Sequence, residues 1–356
     1  MTERTAPHGA RRAAPGAPVG GGLAHAPHRP LQRGNRLRRG LFRAQERATV
    51  VGYRFASWLL GVVPEAISWP LARAAFLAAY ALWPAKRRII VDNAAHILGR
   101  PAGDPAARRL ARRIFQTYAR YVVELMRLPS RPLDEPARLV LSEGERGFDA
   151  FLALYARLRA EGRGIIAVSV HIGSIETFVA AFAAHGLPIY GLADDTAYPE
   201  LYALLQEQRR RWGVGVFGWR NMRAIVRALR EAAILGLLVD WGYRAEDVPV
   251  RLFGAWTTLP AGPAVLAART RALIVPMVCR RRPDGRFEAN YLDPIEVADD
   301  SPATVAEATQ ALAAAVEAMV AAHPEQWYTF KRMWPATAAE ADALALRDAR
   351  TRGSAG

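Results

Sequence analysis

Cysteine, lysine and the common catalytic motifs are scarce in, or missing from, this chain of 356 residues. Cys279 is the single cysteine, so an intramolecular disulfide and a multi-cysteine metal site are excluded. Its apolar neighbours predict an inert, buried thiol in a reducing compartment. The chain also has no Gly-rich phosphate loop, no Gly-x-Ser-x-Gly elbow and no His-Glu-x-x-His pair. Nucleotide-driven and zinc chemistry are therefore not expected, and we predict no metal and no resident cofactor.

Lysine is confined to Lys86 and Lys331, so the formal net charge of +15 rests almost wholly on arginine. This usage is more typical of a GC-rich genome than of a particular function. The positive sign favours anionic partners, namely nucleic acid, an anionic membrane surface or a phosphorylated substrate. The arginines do not form a stripe interleaved with aromatic residues, so nucleic acid is not an expected partner.

No uninterrupted apolar run of about 20 residues is present, although residues 50–83 are strongly apolar and aromatic. Charged residues and prolines break this run repeatedly, at Arg54, Pro64, Glu65, Pro70 and Arg73. Broken helices that carry tryptophans, flanked by the basic residues 86–88, are typical of an interfacial or re-entrant membrane contact. A buried helical hairpin is the alternative interpretation.

The composition, 51% hydrophobic and 9% aromatic, predicts one large folded domain with accessory segments. Residues 1–45, rich in Gly, Ala, Pro and Arg, are interpreted as a disordered basic tail that either attracts anionic lipid or has no function. The tail lacks the apolar centre of a signal peptide, so export is not indicated. An apolar helical membrane-associated segment is expected at 46–90, the domain itself at 91–335, and a C-terminal tail at 336–356.

The rest of the chain alternates between helical and extended patterns. We predict helices at residues 103–128, 146–161, 175–185, 198–212, 220–232, after Pro260, and finally at 302–322. We predict strands at residues 164–170, 187–191, 234–240, 272–279 and 286–292. This alternation predicts an α/β fold with a mixed, largely parallel sheet flanked by helices, and with ligands at the carboxyl ends of the strands. His171 and Asp240 both stand at such ends.

His171 and Glu176 follow the predicted strand at 164–170 across a turn that contains Gly173. Five residues rotate an ideal helix by about 500°, so we place His171 in the turn and Glu176 in the first helical turn. From there the carboxylate can orient the imidazole, which would then serve as general base for a hydroxyl nucleophile. The alternative is structural, a helix cap with a polar histidine beside it.

Six stretches, in order, resemble the bacterial lipid A lauroyl/myristoyl acyltransferase family, which includes the phosphatidylinositol mannoside acyltransferases. The most characteristic are the His171-x4-Glu176 block, an Arg209-x3-Gly213 element and the closing Pro-Glu-Gln-Trp signature at 324–327. The six stretches lie at residues 114–124, 164–176, 209–213, 237–240, 250–263 and 324–332. Together they place residues 50–335 within the resemblance.

The resemblance implies a glycerolipid acyltransferase-like fold and a membrane-associated O-acyltransferase, peripheral or monotopic, on the cytoplasmic face of the plasma (inner) membrane. It implies acyl-CoA or acyl-carrier protein as donor, and a glycolipid or lysophospholipid as acceptor. His171 would be the general base and Glu176 would support the imidazolium, while backbone N–H groups or arginines would hold the oxyanion and phosphates. The expected substrate-binding residues are Gly173, Ser174, Arg209, Arg211, Arg220, Asp240, Arg251 and Gly254.

The chain departs from the family pattern at two places that bear on the acceptor. Residues 173–175 read Gly-Ser-Ile where the family usually has Gly-Asn-Trp, and residues 241–244 read Trp-Gly-Tyr-Arg where an Asp-containing run is common. The helix entry at 260–263 favours the phosphatidylinositol mannoside-like branch over the lipid A-like one. Two other functions stay open: a non-catalytic lipid-binding membrane protein on the same fold, and an acyl-thioester hydrolase in which water replaces the acceptor.

Overall fold

The computed structural model describes residues 36–193, 199–218 and 220–353. In these ranges the helices are α1 (Arg36–Val62), α2 (Glu65–Leu82), α3 (Pro84–Leu98), α4 (Pro105–Arg127), α5 (Glu135–Leu139), α6 (Phe148–Ala160), α7 (Ile175–Ala184), α8 (Pro199–Arg211), α9 (Met222–Arg230), α10 (Gly262–Thr270), α11 (Pro302–Ala322) and α12 (Ala338–Gly353). The strands are β1 (Val140–Leu141), β2 (Ile165–Ser169), β3 (Ile189–Ala193), β4 (Gly215–Gly218), β5 (Ile234–Leu238), β6 (Val248–Leu252), β7 (Ala255–Leu259), β8 (Leu273–Arg281) and β9 (Phe287–Tyr291).

Over the described ranges, seven strands form the main sheet in the order β1-β9-β8-β2-β5-β3-β4, and β6 and β7 form a separate antiparallel pair. Neighbouring strands of the main sheet are parallel except for β8 and β9. The predicted mixed, largely parallel sheet flanked by helices is thus confirmed. Crossover helices cover both faces of a parallel sheet, which explains why its central strands are continuously apolar.

The register of the two central strands determines which side chains meet at the carboxyl edge. β2 and β5 pair so that Ser169 lies opposite Leu238. The N–H of Val239 donates to the Ser169 carbonyl at 3.1 Å and continues the pairing beyond the strands. His171 and Asp240 each stand two residues past this matched pair. The sheet therefore carries both residues to the same point.

The two faces of the sheet bury different apolar clusters. Ile166 and Val168 of β2 belong to a cluster that includes residues of α9, α10 and α11, whereas Ile165 belongs to one shared with α6 and α7. This division follows from the two-residue period of a strand. Cys279 lies in the second cluster, and its burial raises the pKa of the thiol to about 12. The thiol is therefore buried and unreactive, as predicted.

The long helices begin with caps that the sequence provides. The Asp104 side chain accepts the Ala106 N–H ahead of α4, and the Ser301 side chain does the same for Thr304 ahead of α11. Among the described residues, α11 is the one helix long and apolar enough to cross a membrane, yet half of its apolar window is buried. Leu312 and the neighbouring turns pack in the cluster under the sheet, so α11 is a core helix here.

Most predicted elements are present within a few residues of their predicted bounds, from α4 to α11. Some elements of the structure were not predicted. Among them are β1, β4 and α5, which are short, and the β6–β7 pair. That pair is joined by a tight turn in which Phe253 and Gly254 both have positive φ, 50° and 72°. Such a turn suits a two-residue hairpin, but Phe at its first position gives no sequence signal for it.

The predicted final helix at 302–322 is not the last one, because α12 follows within the segment predicted as a C-terminal tail. Leu344 of α12 is buried. Arg347 donates to the backbone carbonyls of Ala245 and Asp247. These contacts attach the C-terminal segment to the β6–β7 region.

The N-terminal part of the chain is helical where the structure describes it. Residues 45–356 form one structural unit, and of residues 1–44 only the beginning of α1 is described. Most of the predicted basic tail at 1–45 therefore lies outside the described residues, and α1 already begins at Arg36. Pro64 caps α2, as the broken apolar pattern suggests. Arg127 of α4 donates to the carbonyls of Leu60 and Val63, both at 2.6 Å, and so fixes the end of α1.

Candidate active site

The turn between β2 and α7 presents His171 at the carboxyl edge of the sheet. The strand stays buried up to Val170, and Gly173 then turns the chain with a φ of +63°. A Cβ atom at Gly173 would lie 1.8 Å from the carbonyl oxygen of Cys279 in β8. Only glycine fits both this conformation and this space. The turn thus rests on β8 and leaves the His171 side chain 41% exposed.

Asp240 holds His171 at two points. Its Oδ1 lies 2.8 Å from the imidazole Nδ1, and its Oδ2 accepts the backbone N–H of His171 at 2.9 Å. The Asp240 side chain is fully buried, and the indole N–H of Trp327 also donates to Oδ2, at 2.8 Å. A carboxylate only accepts hydrogen bonds, so the proton of neutral His171 is on Nδ1. The lone pair of Nε2 is then available to accept a proton.

Burial and charge act in opposite directions on this pair. Burial lowers the pKa of His171, but the charge of Asp240 and the hydrogen bond to it outweigh burial, so the pKa is raised above the usual value. Burial raises the pKa of Asp240, but the charge of His171 and the hydrogen bonds from His171 and Trp327 outweigh it, so the pKa is lowered. Asp240 is therefore ionised at neutral pH. A basic imidazole beside a buried carboxylate has the properties of a general base.

Residues 326–328, within the closing signature, support the turn that carries His171. The Gly173 N–H donates to the Gln326 carbonyl at 3.1 Å, and the Tyr328 N–H donates to the His171 carbonyl at 2.7 Å. Ile172 and Trp327 also form an isolated antiparallel bridge. The Gly173 N–H, expected to bind an oxyanion, is therefore occupied by a structural hydrogen bond. The signature is part of the site because it completes the surroundings of His171 and Asp240.

A buried ion pair stands behind this segment. Arg281 of β8 donates to both carboxylate oxygens of Glu124 in α4, with the Nε to Oε1 distance at 2.7 Å. The Gln326 side chain bonds the backbone N–H and carbonyl of Arg281 at 2.8 and 2.9 Å. The Tyr328 hydroxyl accepts a further bond from Arg281 at 3.3 Å. The pair thus ties α4, β8 and residues 326–328 into one support.

Glu176 lies in the first turn of α7, as predicted, but its carboxylate contacts Arg209 and not the imidazole. The Arg209 Nη2 donates to Glu176 Oε1 at 2.9 Å. The predicted orientation of the His171 ring by Glu176 is therefore corrected: the sheet register brings Asp240 to Nδ1, whereas Glu176 faces α8. The charge of Glu176 still raises the pKa of His171, although it is the weakest of the contributing charges.

Two of the predicted substrate-binding residues are engaged within the fold. Ser174 is buried, and its hydroxyl lies 2.8 Å from that of Thr177. It therefore supports the start of α7 and does not face an open surface. Arg211, at the end of α8, donates to the Pro129 carbonyl at 2.7 Å. Both side chains have structural partners instead of an open anion site.

Three other predicted residues lie on different elements. Arg251 in β6 donates to the Gly254 carbonyl at 2.8 Å and lies over the Trp256 ring, 4.5 Å from its centroid. Gly254 has a positive φ in the turn that joins β6 to β7. Arg220 is exposed just before α9. In the described part of the chain, no hydrogen bond or ion pair joins Arg251 or Gly254 to the His171–Asp240 pair.

An apolar cleft with a volume of about 30 Å³ lies between α4, α7 and α8. Glu176 and Arg209 form part of its wall. The rest is mainly apolar, with Leu125, Leu128, Val179, Ala180, Leu205, Trp212 and Val214. Tyr53 of α1 donates to Gln208 at 3.1 Å beside this wall. The turn bearing His171 leads directly into α7, the helix that forms one side of this cleft.

Two further residues near the imidazole were not among the predicted site residues. The Trp241 ring meets the His171 ring edge to face, with centroids 6.4 Å apart. The Lys331 ammonium lies over the same Trp241 ring, 4.8 Å from its centroid. The sequence signalled them only indirectly, since Trp241 begins a departure from the family pattern and Lys331 lies in the last of the six stretches that carry the resemblance.

Comparison with known proteins gives a consistent result. The family model described as bacterial lipid A biosynthesis acyltransferase matches residues 39–335. A phosphatidylinositol mannoside acyltransferase of Mycolicibacterium smegmatis is 27% identical over 295 residues, which cover 80% of this chain and 91% of the relative. Proteins of the same name from two strains of Mycobacterium tuberculosis are each 28% identical over 261 residues, covering 72% of this chain and 79% of the relative.

The fold, the site and these matches define the class of the protein, an O-acyltransferase that acts in lipid biosynthesis. More specifically, the chain belongs to the bacterial lipid A biosynthesis acyltransferase family, because the match extends over most of its length.

Proposed function

We propose that the protein transfers a fatty acyl group from a thioester donor to a hydroxyl of a glycolipid, with His171 as general base. One observation carries the proposal: the Nδ1 of the exposed imidazole is hydrogen-bonded to the buried Asp240 carboxylate. This arrangement leaves Nε2 ready to take a proton from an acceptor that approaches from solvent or from a membrane.

The chemistry requires one proton to be moved twice. Nε2 of His171 removes the proton from the acceptor hydroxyl while its oxygen attacks the thioester carbonyl and forms the C–O bond. The tetrahedral intermediate then collapses, the C–S bond breaks, and the departing sulfur takes the proton from the imidazolium. Asp240 stabilises the imidazolium between these steps, as its negative charge is closest to the ring. Release of a thiolate needs no strong acid.

The apolar cleft supports a role in holding the acyl chain. Its walls are mainly aliphatic and aromatic. Each buried methylene contributes about 0.8 kcal/mol, so an acyl chain that widens the cleft would gain affinity from these walls. Because Glu176 and Arg209 share this wall, we propose that their ion pair shapes the cleft near the thioester. The donor is acyl-CoA or acyl-carrier protein.

The acceptor proposed first is a phosphatidylinositol mannoside-like glycolipid, with a lipid A-like acceptor second. The support is that all three relatives named above are phosphatidylinositol mannoside acyltransferases. The site contributes a mixed surface around His171, with the Trp241 ring on one side and Lys331 next to it. Aromatic rings and cations beside a base are suited to a sugar attached to an anionic group.

We further propose that α1 and α2 contact an anionic membrane at its cytoplasmic face, in a peripheral or monotopic manner. Their exposed apolar residues, together with Trp83 at the junction with α3, are Val51, Phe55, Trp58, Leu59, Val62, Ile67, Leu71, Leu82 and Trp83. The surface of a soluble protein rarely exposes so many large apolar side chains on neighbouring parts of the chain without a partner. Residues 86–88 add positive charge next to it, as in proteins that lie in the interface.

The test is transfer of label from palmitoyl-CoA, or palmitoyl-acyl-carrier protein, to phosphatidylinositol mannosides or extracted bacterial lipids. We expect labelled lipid with the wild type, and a loss of about 10²–10⁴-fold in rate for His171→Ala. The matched control is His323→Ala, since His323 is 45% exposed and lies 3.4 Å from Glu325, a similar setting without Asp240. Circular dichroism and thermal unfolding check that each variant is folded.

The alternatives give different results in this assay. A thioester hydrolase would release free fatty acid without forming labelled lipid. A lipid-binding protein without activity would consume no donor at all, although folded. Equal rates for the wild type and His171→Ala would disprove the role of His171 as base, whichever product is formed.

A further inference from the structure

The two lysines of the chain meet at one segment, residues 330–331, near the proposed general base His171. Lysine occurs twice, against 46 arginines among the 48 basic residues. The Lys86 ammonium donates to the carbonyl of Phe330 at 3.0 Å, immediately before Lys331. The Lys331 ammonium lies 4.8 Å from the Trp241 centroid, and that ring lies 6.4 Å from the His171 ring. The Trp241 ring therefore contacts both the Lys331 ammonium and the imidazole.

The backbone on both sides of Lys331 is held rigidly. The buried Asn93 side chain of α3 donates to the Lys331 carbonyl at 2.9 Å and accepts the Met333 N–H at 3.2 Å. The Tyr243 N–H donates to the Arg332 carbonyl at 2.8 Å. These hydrogen bonds fix the backbone from which the Lys331 side chain extends.

The stem of Lys331 is also packed against the segment that departs from the family pattern. A Cβ atom at Gly242 would lie 3.0 Å from Lys331 Cβ and 3.5 Å from its Cδ. Gly242 has a φ of +92°, so glycine serves both the turn and this close approach. Residues 241–242 thus lie under the lysine stem, and Arg244 is near enough for its charge to lower the pKa of Lys331.

Among the described residues, the positive charges at this place form no close ion pair, although Asp240 acts on Lys331 and Asp247 on Arg244 over longer distances. In residues 36–193, 199–218 and 220–353, no ion pair includes Lys331, Lys86 or Arg244. Burial and the charges of Arg244 and Lys86 lower the pKa of the Lys331 ammonium, and Asp240 opposes them. Asp240, however, already accepts hydrogen bonds from His171 and Trp327. A bound anion would relieve the mutual repulsion of these cations.

We propose that Lys331, Lys86 and Arg244 form a binding site for a phosphate ester of a substrate, beside His171 and over the Trp241 ring. A phosphate offers several acceptor oxygens to separate cations, and lysine binds it as a point charge. Lysine suits a crowded site because its ammonium is more compact than a guanidinium. The site deepens the proposed function, on which its role in catalysis rests, by assigning a place to the anionic part of a substrate.

Two substrates can supply this phosphate ester. A phosphodiester glycolipid carries its phosphate close to the sugar hydroxyl that reacts at His171. A CoA thioester or carrier-protein thioester carries its phosphates at the far end of a pantetheine arm. Lys331 and His171 both contact the Trp241 ring, which favours the glycolipid, and the arms of the experiment distinguish the two.

The test is calorimetric titration of the full-length protein with two pairs of soluble probes, CoA with pantetheine, and inositol 1-phosphate with inositol. Within each pair only the first member carries phosphate. Lys331→Met keeps the packed stem and removes the charge, and Lys331→Arg keeps the charge. The control is Arg157→Met, which removes an exposed charge in the last turn of α6, at the edge of the sheet opposite His171.

We expect the wild type to bind the phosphate-bearing member of one pair more tightly. Lys331→Met should weaken this binding about tenfold, the loss of one charge-assisted contact, while Arg157→Met leaves it unchanged and Lys331→Arg largely restores it. Loss in the inositol pair identifies the glycolipid phosphate, and loss in the CoA pair identifies the donor phosphate.

The proposal is overturned if the wild type shows no preference for phosphate in either pair. It is also overturned if Lys331→Met binds all four probes as the wild type does, even where kcat falls, since the lysine would then act on the chemistry of His171. Titration requires no turnover. A protein that binds phosphate but transfers no acyl group would disprove the proposed function and leave this site intact.

Discussion

At the scale of single residues, the basicity of His171 depends on burial and on the opposite charges of Asp240 and Lys331. Asp240 raises the pKa of the imidazole, whereas burial and the charge of Lys331 lower it. A general base must be neutral to accept a proton and basic enough to hold it through the transition state. The net raised pKa of His171 places the protonated, inactive form at acidic pH, so activity should rise as the pH increases through that pKa.

Asp240→Asn should change both the rate and its pH dependence. Without the negative charge the pKa of His171 falls, so the acidic limb of the pH profile of kcat/KM should move to lower pH. The rate at neutral pH should fall by about 10²–10⁴-fold, because an amide does not stabilise the imidazolium or select the Nδ1–H tautomer. Steady-state kinetics between acidic and neutral pH measure both effects.

The control for this variant is Asp300→Asn, which alters a surface carboxylate paired with Arg269 at 2.8 Å. It should leave the rate and the profile unchanged. An Asp240→Asn enzyme whose acidic limb stays where it is in the wild type would show that Asp240 does not act on the imidazole.

Glu176→Gln should reduce stability more than it changes the pH profile. The Glu176–Arg209 pair is partly buried, and loss of the carboxylate leaves the guanidinium without its partner, at a cost of about 1–3 kcal/mol. The acidic limb should move less than in Asp240→Asn, because Glu176 makes the weakest charge contribution to the pKa of His171. Chemical denaturation and the pH profile together measure this difference.

Glu207→Gln provides the comparison, since Glu207 pairs with Arg210 on the exposed side of the same helix, α8. Its cost should stay below about 0.5 kcal/mol, as is usual for exposed ion pairs. If Glu176→Gln moved the acidic limb as far as Asp240→Asn does, Glu176 would be the residue that sets the basicity of His171.

At the scale of elements, the site depends on how the β2–α7 turn fits between β8 and residues 326–328. The turn contacts Cys279 of β8 on one side and the Gln326 carbonyl on the other. Both supports are main-chain groups with little room to move. The position of His171 is thus a property of three elements and not of the turn alone.

Gly173→Ala should disable the enzyme, whereas Gly186→Ala should not. Both glycines have positive φ, 63° and 73°, so each substitution strains the backbone by about 1–2 kcal/mol. Only at Gly173 would the added methyl meet backbone, 1.8 Å from the Cys279 oxygen, while nothing lies within 4 Å at Gly186. Displacement of the turn should lower kcat by about 10²-fold or more, and should lower the melting temperature further than Gly186→Ala does.

Thermal unfolding and kcat, measured for both variants side by side, check this expectation. Similar melting temperatures and similar activities for the two would mean that the turn can move away from β8 without loss. The shared backbone strain cancels in the comparison, so the difference reports the packing of Gly173 alone.

At the scale of the whole molecule, apolar surface is distributed unevenly. The long apolar helix α11 is half buried and packs in the core, whereas α1 and α2 expose their apolar side chains. This distribution supports contact with a membrane surface and does not require α11 to cross the bilayer. The Lys86 ammonium, part of the proposed phosphate site, lies over the exposed Trp83 ring. The proposed membrane face and the proposed phosphate site are therefore neighbours.

Leu71→Ser should weaken binding to vesicles, and Leu346→Ser should not. The two leucines are similarly exposed, at 65% and 60%, but Leu71 is in α2 and Leu346 is in α12. Insertion of a leucine side chain into an apolar phase contributes about 1.5–3 kcal/mol, so its loss should lower the partition coefficient about tenfold or more. Sedimentation with vesicles of phosphatidylcholine and phosphatidylinositol measures this coefficient. Equal losses for the two variants would exclude α2 as the membrane face.

The sequence by itself determined the elements whose signals are local. The apolar run of β2, the glycine after it and the caps of α4 and α11 act over a few residues, so their patterns predicted the α/β fold and the position of His171 in the turn after β2. The position of Glu176 in the first turn of α7 follows from the same local rules. Resemblance to a family then indicated acyl transfer. Each short stretch alone is weak evidence for the family, but six of them in the same order are specific.

Only the tertiary structure decided which groups meet around the imidazole. Asp240 reaches His171 across 69 residues of sequence because β2 and β5 are paired in register, and Trp327 completes the contact from a segment 87 residues further on. Glu176 turns instead to Arg209, since a helix side chain meets whatever packs against its face. Lys331 and Trp241 come together in the same way. Such contacts depend on register and packing between distant segments, and the period of a single segment carries no information about either.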